Sequence, residues 1–450
     1  MADPPGPEGG TRARQVALQL LLAVERGRRL DLAWSEMAPD LPPRERGWVQ
    51  ELTFGTVRLQ GRLDHLLNLH LRKGVASLPP SVLPILRMGA YQLLYMDGTP
   101  AYAAVSQAVE EVRRVAGRRL TGVVNGVLRS LGREGGGPER FPSLSSHPED
   151  HLSTWGSHPR WLVRRWIKAH GVQGAARLVE MGNRVPPLYL RWLTGSLEDT
   201  LSLLKEAGLE GVEGPAGSQT VRLGPGTSPA KALNVVPGII QDPAASWVVR
   251  WCGDLRGQRL VDLCSAPGGK AVALQADGAQ VVAADRSLSR LQLLKQTRER
   301  LSLSLPLVQA LGEEPPFSPV DAVLADVPCT GTGTLARHPD ARWRLRHTDI
   351  QALSRVQKEI LEGAARIVAP GGLLVYSTCT LEPEENEGQV EAFLQRHPEF
   401  IVEGGEGVPE VIQDGPYLRV LPHLMETDGA FAVRLRRERP PAGDMSSGVG

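Results

Sequence analysis

A chain of 450 residues that is 41% hydrophobic and 22% charged has the length for two or three domains and the apolar content for ordinary packed cores. No apolar stretch approaches membrane-spanning length, the amino terminus MADPPGPEGGTRARQ lacks the apolar core of a signal peptide, and the four cysteines are spaced like neither a zinc site nor a disulfide framework. The expectation is a cytoplasmic protein with no membrane and no metal. The net charge of +1 is unevenly spread: basic residues lead over 1–140 and acidic ones over 251–450, which suits an accessory nucleic-acid surface and equally describes solvated helix faces.

Residues 1–10 form a Pro/Gly leader with the composition of disorder. From 11 to 133, apolar residues recur at helical spacing, as in Val16-Ala17-Leu18-Leu20-Leu21, Trp48-Val49-Leu52 and Leu83-Leu86-Tyr91-Leu94, with breaks at Gly27, Pro42-Pro43, Gly74, Pro79-Pro80 and Gly98-Thr99-Pro100. This is an all-helical domain. Its basic pairs Arg28-Arg29, Arg72-Lys73, Arg113-Arg114 and Arg118-Arg119 are mostly solvated surface, with a subset placed to track RNA phosphates. Residues 134–142, EGGGPERFP, are a linker by composition. Residues 143–237 read as a small α/β subdomain, with a Trp-rich helix around Trp161 to Ile167, strands around Leu188 to Trp192 and Thr220 to Leu223, and a helix from Leu197 to Ala207. Arg164, Arg165 and Arg191 are candidates for RNA contact there by position alone. From 238 to 437 strands and helices alternate, and Gly429 to Leu435 closes the series as a half-buried antiparallel strand. Residues 438–450 read as a disordered tail.

Val261 to Lys270, VDLCSAPGGK, organises that last region. The apolar run Arg259 to Leu263 is a short buried strand, Ser265-Ala266-Pro267-Gly268-Gly269 is a tight turn, and a helix begins near Lys270. Strand, glycine turn and helix make a cofactor crevice at the carboxyl end of a parallel sheet. A P-loop fails, because Cys264 stands at its first glycine position and Ala271 follows the lysine; a G-x-G-x-x-G nicotinamide fingerprint is absent. The next apolar run, Gln280 to Ala284, ends in Asp285, about twenty residues on, where a carboxylate bonds ribose hydroxyls. The ligand is then nucleoside-like without a diphosphate, as S-adenosylmethionine is. An ordinary strand-turn-helix corner with a solvated Asp explains these two pieces about as well.

Two further strands end in thiols. Ala322 to Asp326 runs into Val327-Pro328-Cys329, and Leu373 to Tyr376 runs into Ser377-Thr378-Cys379. In a parallel sheet both open on the edge that carries the glycine turn. One such cysteine is usually a small buried residue, and Cys264 and Cys252 keep that reading. Two beside a methyl-donor crevice point to chemistry. Carbon 5 of a pyrimidine is too weak a nucleophile for a methyl sulfonium, whereas a thiolate added at carbon 6 makes an enamine whose carbon 5 attacks. Asp326 is placed to stabilise charge at ring nitrogen 3. A methylase of an exocyclic nitrogen would carry an Asn/Asp-Pro-Pro-aromatic signature after this strand, where the chain has Asp326-Val327-Pro328-Cys329.

The stretches DLCSAPGGK, DVPCTGTG with Arg337-His338-Pro339-Asp340, and YSTCTLEPEENE resemble the RsmB (Sun/Fmu) family of small-subunit ribosomal RNA cytosine-5 methyltransferases. ELTFGTVRLQGRLD, LRMGAYQLLY and VNGVLRSL resemble that family's NusB-like RNA-binding domain. The resemblance implies a Rossmann-like methyltransferase domain preceded by a small α/β subdomain and an all-α NusB-like domain, acting as a monomer on small-subunit ribosomal RNA. It implies Cys379 as nucleophile, Cys329 as helper in adduct breakdown and Lys270, Asp285 and Asp326 at the cofactor; the full cofactor set read here is Cys264, Ser265, Ala266, Pro267, Gly268, Gly269, Lys270, Asp285, Arg290 and Asp326. The basic segment Arg337 to Arg346 is expected to grip phosphates with the helical domain. Two departures stand out: Leu311 occupies the region where the family shows an acidic residue near the adenine, and Ala271-Val272 replaces a hydroxyl pair after the lysine. Three readings compete: an RNA cytosine-5 methyltransferase of ribosomal or transfer RNA, a DNA cytosine-5 methylase that would use Cys329 and leave Cys379 unexplained, and a non-catalytic RNA-binding assembly factor.

Overall fold

The computed structural model describes residues 7–440. It divides into two compact units, one holding the chain up to Val185 together with Leu335–Leu345, the other Pro186–Thr334 and the chain from Arg346 onward.

The first unit is helical: Pro7–Glu25, Leu30–Met37, Pro43–Arg58, Gln60–Asn68, Leu83–Tyr95, Ala101–Ala116 and Thr121–Glu134. The ends follow residue chemistry. Pro43 stands in a first turn, where its missing N–H costs nothing, and Gly117 (φ 71°) and Gly135 (φ 74°) turn the chain out of two helices. The apolar stripes meet at Leu18, Trp48, Leu52, Leu63, Leu86, Val112, Leu128 and Leu131, all fully buried, where a leucine truncated to alanine costs about 2–5 kcal/mol. Arg87, also buried, is neutralised by Asp64 at 2.7 Å and by Glu25.

Two expectations need correction here. The leader expected over 1–10 overlaps a helix that starts at Pro7, a favourable first-turn residue; residues 1–6, and 441–450 of the expected tail, lie outside the described residues. The helices Pro148–Thr154 and Arg160–Asn183, the latter broken at Gly171 (φ 68°), fall within the first compact unit. Local packing explains it: Trp155 meets Phe141 edge-on at 5.1 Å and lies under the Arg62 guanidinium at 3.7 Å, and Ser157 Oγ donates to Arg58 O at 2.8 Å. The second correction is Arg337 to Arg346, whose central arginines are not a phosphate grip. Arg342 is fully buried and donates to Ser157 O (3.2 Å), Gly182 O (2.5 Å), Leu335 O (3.0 Å) and Asn183 Oδ1 (2.7 Å), while Arg344 binds Asp340 at 2.9 Å. Trp343 Nε1 donates to Val57 O at 2.8 Å. Burial, then Arg58, holds the Arg342 guanidinium well below its ordinary range, and its buried bonds make Arg342 a structural residue.

In the second unit, β1 (Tyr189–Trp192), β2 (Gly211–Glu213), β3 (Thr220–Leu223) and β4 (Gly238–Ile240) form an antiparallel sheet ordered β2-β3-β1-β4. Arg191 is fully buried on β1, bonded to Asp277 at 3.0 Å and Ser246 at 2.9 Å, and is therefore no RNA contact. The large sheet comprises β5 (Arg259–Asp262), β6 (Gln280–Asp285), β7 (Leu307–Gln309), β8 (Val320–Asp326), β9 (Val368–Thr378), β10 (Phe400–Glu403), β11 (Gln413–Asp414), β12 (Tyr417–Val420) and β13 (Ala430–Arg437). Its order is β11-β12-β13-β9-β8-β5-β6-β7, with β10 beside β13. Strands β5 to β9 pair in parallel and β13 pairs antiparallel to β9. Near-continuous apolar runs, such as Ala322 to Ala325 and Leu373 to Tyr376, suit strands buried on both faces by helices including Gly269–Ala276, Leu288–Arg300 and His347–Ile367. The strand order reverses between β5 and β8, and ligands of such sheets bind outside the carboxyl ends at that switch.

Candidate active site

Register puts the candidate residues on one edge. Asp262 ends β5 opposite Leu324 of β8, and Asp326 ends β8 opposite Ser377 of β9. Between β5 and the helix Gly269–Ala276 the chain must turn within a few residues. Gly268 does so at φ 102°, where a Cβ would lie 2.1 Å from Leu294 Cδ1, so only glycine fits. Asp285 holds the turn from β6: its carboxylate, almost wholly buried, accepts from Ala266 N at 3.0 Å and Ser287 N at 2.8 Å. Arg290 donates to Ala266 O and lies 3.8 Å from Asp285. Asp285 has two of its roughly four lone-pair sites occupied, which leaves capacity for ligand hydroxyls.

Lys270 projects from the first helical turn to Asp326, 2.7 Å away, and Ser377 Oγ donates to the other oxygen of Asp326 at 2.7 Å. Burial would lower the Lys270 ammonium; attraction to Asp326 and, more weakly, to Cys379 outweighs it and holds the pKa above its ordinary value. Asp262 is the residue that sequence reasoning missed. Burial, then repulsion from Asp326, pushes its carboxyl from the ordinary 3.8 to about 7 against the pull of Lys270. Asp262 Oδ1 and Ser265 Oγ are buried without a hydrogen-bond partner, the serine hydroxyl easing the carboxyl's charge without closing a bond. Its position as the acid ending the strand before the glycine turn was the available signal.

The four thiols separate by environment. Cys252 is buried and donates to Val248 O at 3.3 Å, and burial pushes it to about 12. Cys264 is pushed well above the ordinary range by burial and by Asp262. Cys329 Sγ and Cys379 Sγ lie 3.4 Å apart, and Cys379 N also approaches Cys329 Sγ at 3.4 Å. The hydrogen bond with Cys379, then burial, raises Cys329 well above the ordinary thiol range, so Cys329 holds its proton beside the second sulfur. Leu311 is exposed just past β7, and Glu313 lies close enough to Cys264 to add to the upward push on its thiol.

The glycine turn, its flanking acids and a pair of thiols thus share one edge of the sheet, and comparison with known proteins decides the family. The model for 16S rRNA methyltransferase RsmB/F matches residues 254–436, that for the NusB family 11–133, and that for the ferredoxin-like domain of RsmF/B-like methyltransferases 158–228. Ribosomal RNA small subunit methyltransferase B of Klebsiella pneumoniae (strain 342) is 33% identical, with 95% of this chain and 98% of that protein covered. The probable ribosomal RNA small subunit methyltransferase B of Bacillus subtilis (strain 168) is 31% identical over 95% of this chain and 99% of its own length. The chain belongs to the RsmB/F family. It is accordingly a small-subunit rRNA methyltransferase, with the helical NusB domain, ferredoxin-like layer and Rossmann-like sheet of that family. The fold is shared with the crystal structure of PH0851, at TM-score 0.75 and 24% identity over 93% of this chain and 98% of that one. Among the described residues no helix is long and apolar enough to cross a membrane, and no group of three or more His, Cys, Asp or Glu is arranged to hold a metal ion.

Proposed function

We propose that this chain transfers a methyl group from S-adenosylmethionine to carbon 5 of a cytosine in 16S rRNA through a transient bond between Cys379 and carbon 6. The observation that carries the reading is the thiol pair: Cys379 Sγ stands 3.4 Å from Cys329 Sγ, one strand over from the Lys270 and Asp326 contact. The buried, unpartnered Asp262 Oδ1 and Ser265 Oγ and the spare acceptor capacity of Asp285 fit a polar nucleoside ligand. S-adenosylmethionine, when bound, supplies the methyl group on a sulfonium.

Asp285 holds ribose hydroxyls, the backbone from Cys264 to Gly269 lines the cofactor, and Arg290 stiffens that turn through Ala266 O. The Lys270 ammonium lies near enough to Cys379 for the two groups to interact, and the thiolate is the form that attacks. With the donor bound, the Cys379 sulfur would add to carbon 6, the ring electrons would move to carbon 5, and carbon 5 would take the methyl carbon as its bond to the donor sulfur breaks, the sulfonium leaving as a neutral thioether. Asp326 stabilises the charge at nitrogen 3. The proton on carbon 5 then leaves, the double bond re-forms and the carbon 6 to sulfur bond breaks. Cys329, kept as a neutral thiol, is placed to assist that last stage, since it can return a proton to the departing sulfur.

Denaturing gels of each cysteine variant incubated with rRNA and S-adenosylmethionine test the assignment. Cys379→Ala should give neither product nor adduct, and Cys329→Ala should accumulate protein covalently joined to methylated RNA. A trapped complex with Cys379→Ala and none with Cys329→Ala would reverse the roles. Bisulfite sequencing of rRNA from cells with and without the protein identifies the cytosine.

A further inference from the structure

Cys329 and Cys379 leave different strands, and direct contact between their loops at the sulfurs consists of two 3.4 Å approaches. The residues that follow them share something stronger, a buried carboxylate. Glu385, in the short helical turn Pro383–Glu385, has no solvent exposure. It accepts from Thr330 N at 2.9 Å, from Thr330 Oγ1, from Thr380 Oγ1 at 3.1 Å and from Gln357 Nε2 at 2.9 Å. Four donors fill the roughly four lone-pair sites of a carboxylate. Thr330 follows Cys329 and Thr380 follows Cys379, so one side chain grips the residue after each thiol. The grip is braced: Gln357 also donates to Pro328 O at 3.0 Å, and Tyr376 OH donates to Glu385 O at 2.6 Å. Burial pushes the Glu385 carboxyl above its ordinary range while these donors oppose it, the balance expected of an acceptor withdrawn from water for its bonds.

We propose that Glu385 is the positioning residue of the thiol pair, tying the Thr330 loop to the Thr380 loop and so holding Cys329 Sγ against Cys379 Sγ. It touches neither sulfur and acts through the two threonines. The inference rests on the reading that both thiols serve one reaction cycle, and it concerns what sets their spacing.

Diamide tests the spacing without RNA or cofactor, because it takes two electrons and two protons from a close thiol pair, leaving a disulfide and becoming a hydrazine. With the full chain, the Cys329–Cys379 disulfide is followed by peptide mass spectrometry. Wild-type protein should close it rapidly, and Glu385→Ala should close it roughly tenfold or more slowly, as expected when hydrogen bonds to a buried charged group are lost. Glu385→Gln should recover most of the rate, since its amide keeps one acceptor and the threonine hydroxyls can turn to accept from its nitrogen. In turnover, Glu385→Ala should lose kcat with the KM for rRNA and the cofactor affinity unchanged. If Glu385→Ala does not fold, Thr330→Val and Thr380→Val, each removing one hydroxyl at constant volume, should slow closure several-fold. Wild-type closure rates in a folded Glu385→Ala, or in both valine variants, overturn the proposal, as does failure of the wild-type pair to close. Glu385-dependent closure in a protein that forms no RNA adduct would support the positioning role and sink the methylation chemistry, so the two failures are distinguishable.

Discussion

Asp262 offers a sharp test of the electrostatics at the crevice. Its carboxyl is buried on the last residue of β5, beside Asp326, and is raised from an ordinary 3.8 to about 7. That difference is about 3 pKa units at 1.36 kcal/mol each, or about 4 kcal/mol. Below pH ~4 the folded and unfolded chains both hold the proton and no penalty applies. Between about 4 and 7 the unfolded chain releases it while the folded one keeps it, so stability falls by roughly 1.4 kcal/mol per pH unit. Above about 7 both are ionised and the whole penalty stands. Asp262→Asn keeps the shape and removes the titration. Thermal scans of the ligand-free protein from pH 5 to 9 should therefore show the variant gaining on the wild type as pH rises, with the difference levelling above about pH 8; comparing the two proteins cancels the titration of groups that do not interact with Asp262. A difference that stays constant from pH 5 to 8 would refute the assignment of a raised carboxyl to Asp262.

Asp285→Ala should weaken S-adenosylmethionine binding by roughly ten- to a hundredfold, the equivalent of about 1.5–3 kcal/mol for bonds to a charged group. It should also loosen the turn, because the same carboxylate holds Ala266 N and Ser287 N; unchanged affinity by calorimetry would count against it. Replacing the exposed Arg118, Arg119 and Arg129 of the NusB domain with glutamate should lower rRNA affinity and flatten its salt slope by roughly 0.7–0.9 per lost phosphate contact, with cofactor affinity intact; an unchanged slope in filter binding would assign that face to another purpose. Glu313→Gln should weaken cofactor binding if Glu313 stands in for the acidic residue missing at Leu311, and equal affinities in the same titration would dismiss it. Arg342→Met should destabilise the first unit, since it strips Ser157 O, Gly182 O and Leu335 O of their donor, each about 1–3 kcal/mol when left buried and unsatisfied; an unshifted thermal transition would contradict that.

What could be read in the sequence was local in character. A turn that admits only glycine at Gly268, an acid ending a strand at Asp285, and thiols after the apolar runs of β8 and β9 each announce themselves within a few residues, because backbone geometry and strand burial are decided there. The parallel order followed from alternation, and the antiparallel direction of β13 was read correctly, although the strand is not half-buried as expected: Ala430 to Val433 are all buried. The misses are long-range. Arg191 and Arg342 look like solvated cations in any window, yet both are fully buried, and Arg342 reaches an acceptor on Asn183 from the far end of the chain. The strands β2, β10, β11 and β12, each no longer than four residues, are held by partners and not by their own pattern. Glu385 sits in an acidic run, EPEENE, that composition assigns to water, and only its four donors, from three other segments and Gln357 among them, show why a carboxylate is buried there. A buried polar residue is paid for by bonds that the fold alone brings together, so the residues that arrange an active site hide in a sequence better than those that react in it. Cys329 and Cys379 show the same asymmetry: they are visible as two letters after two strands, while the 3.4 Å between their sulfurs depends on bonds that only the fold brings together, Gly333 N to Cys379 O and Leu381 N to Thr332 Oγ1 alongside those of Thr330, Thr380 and Glu385.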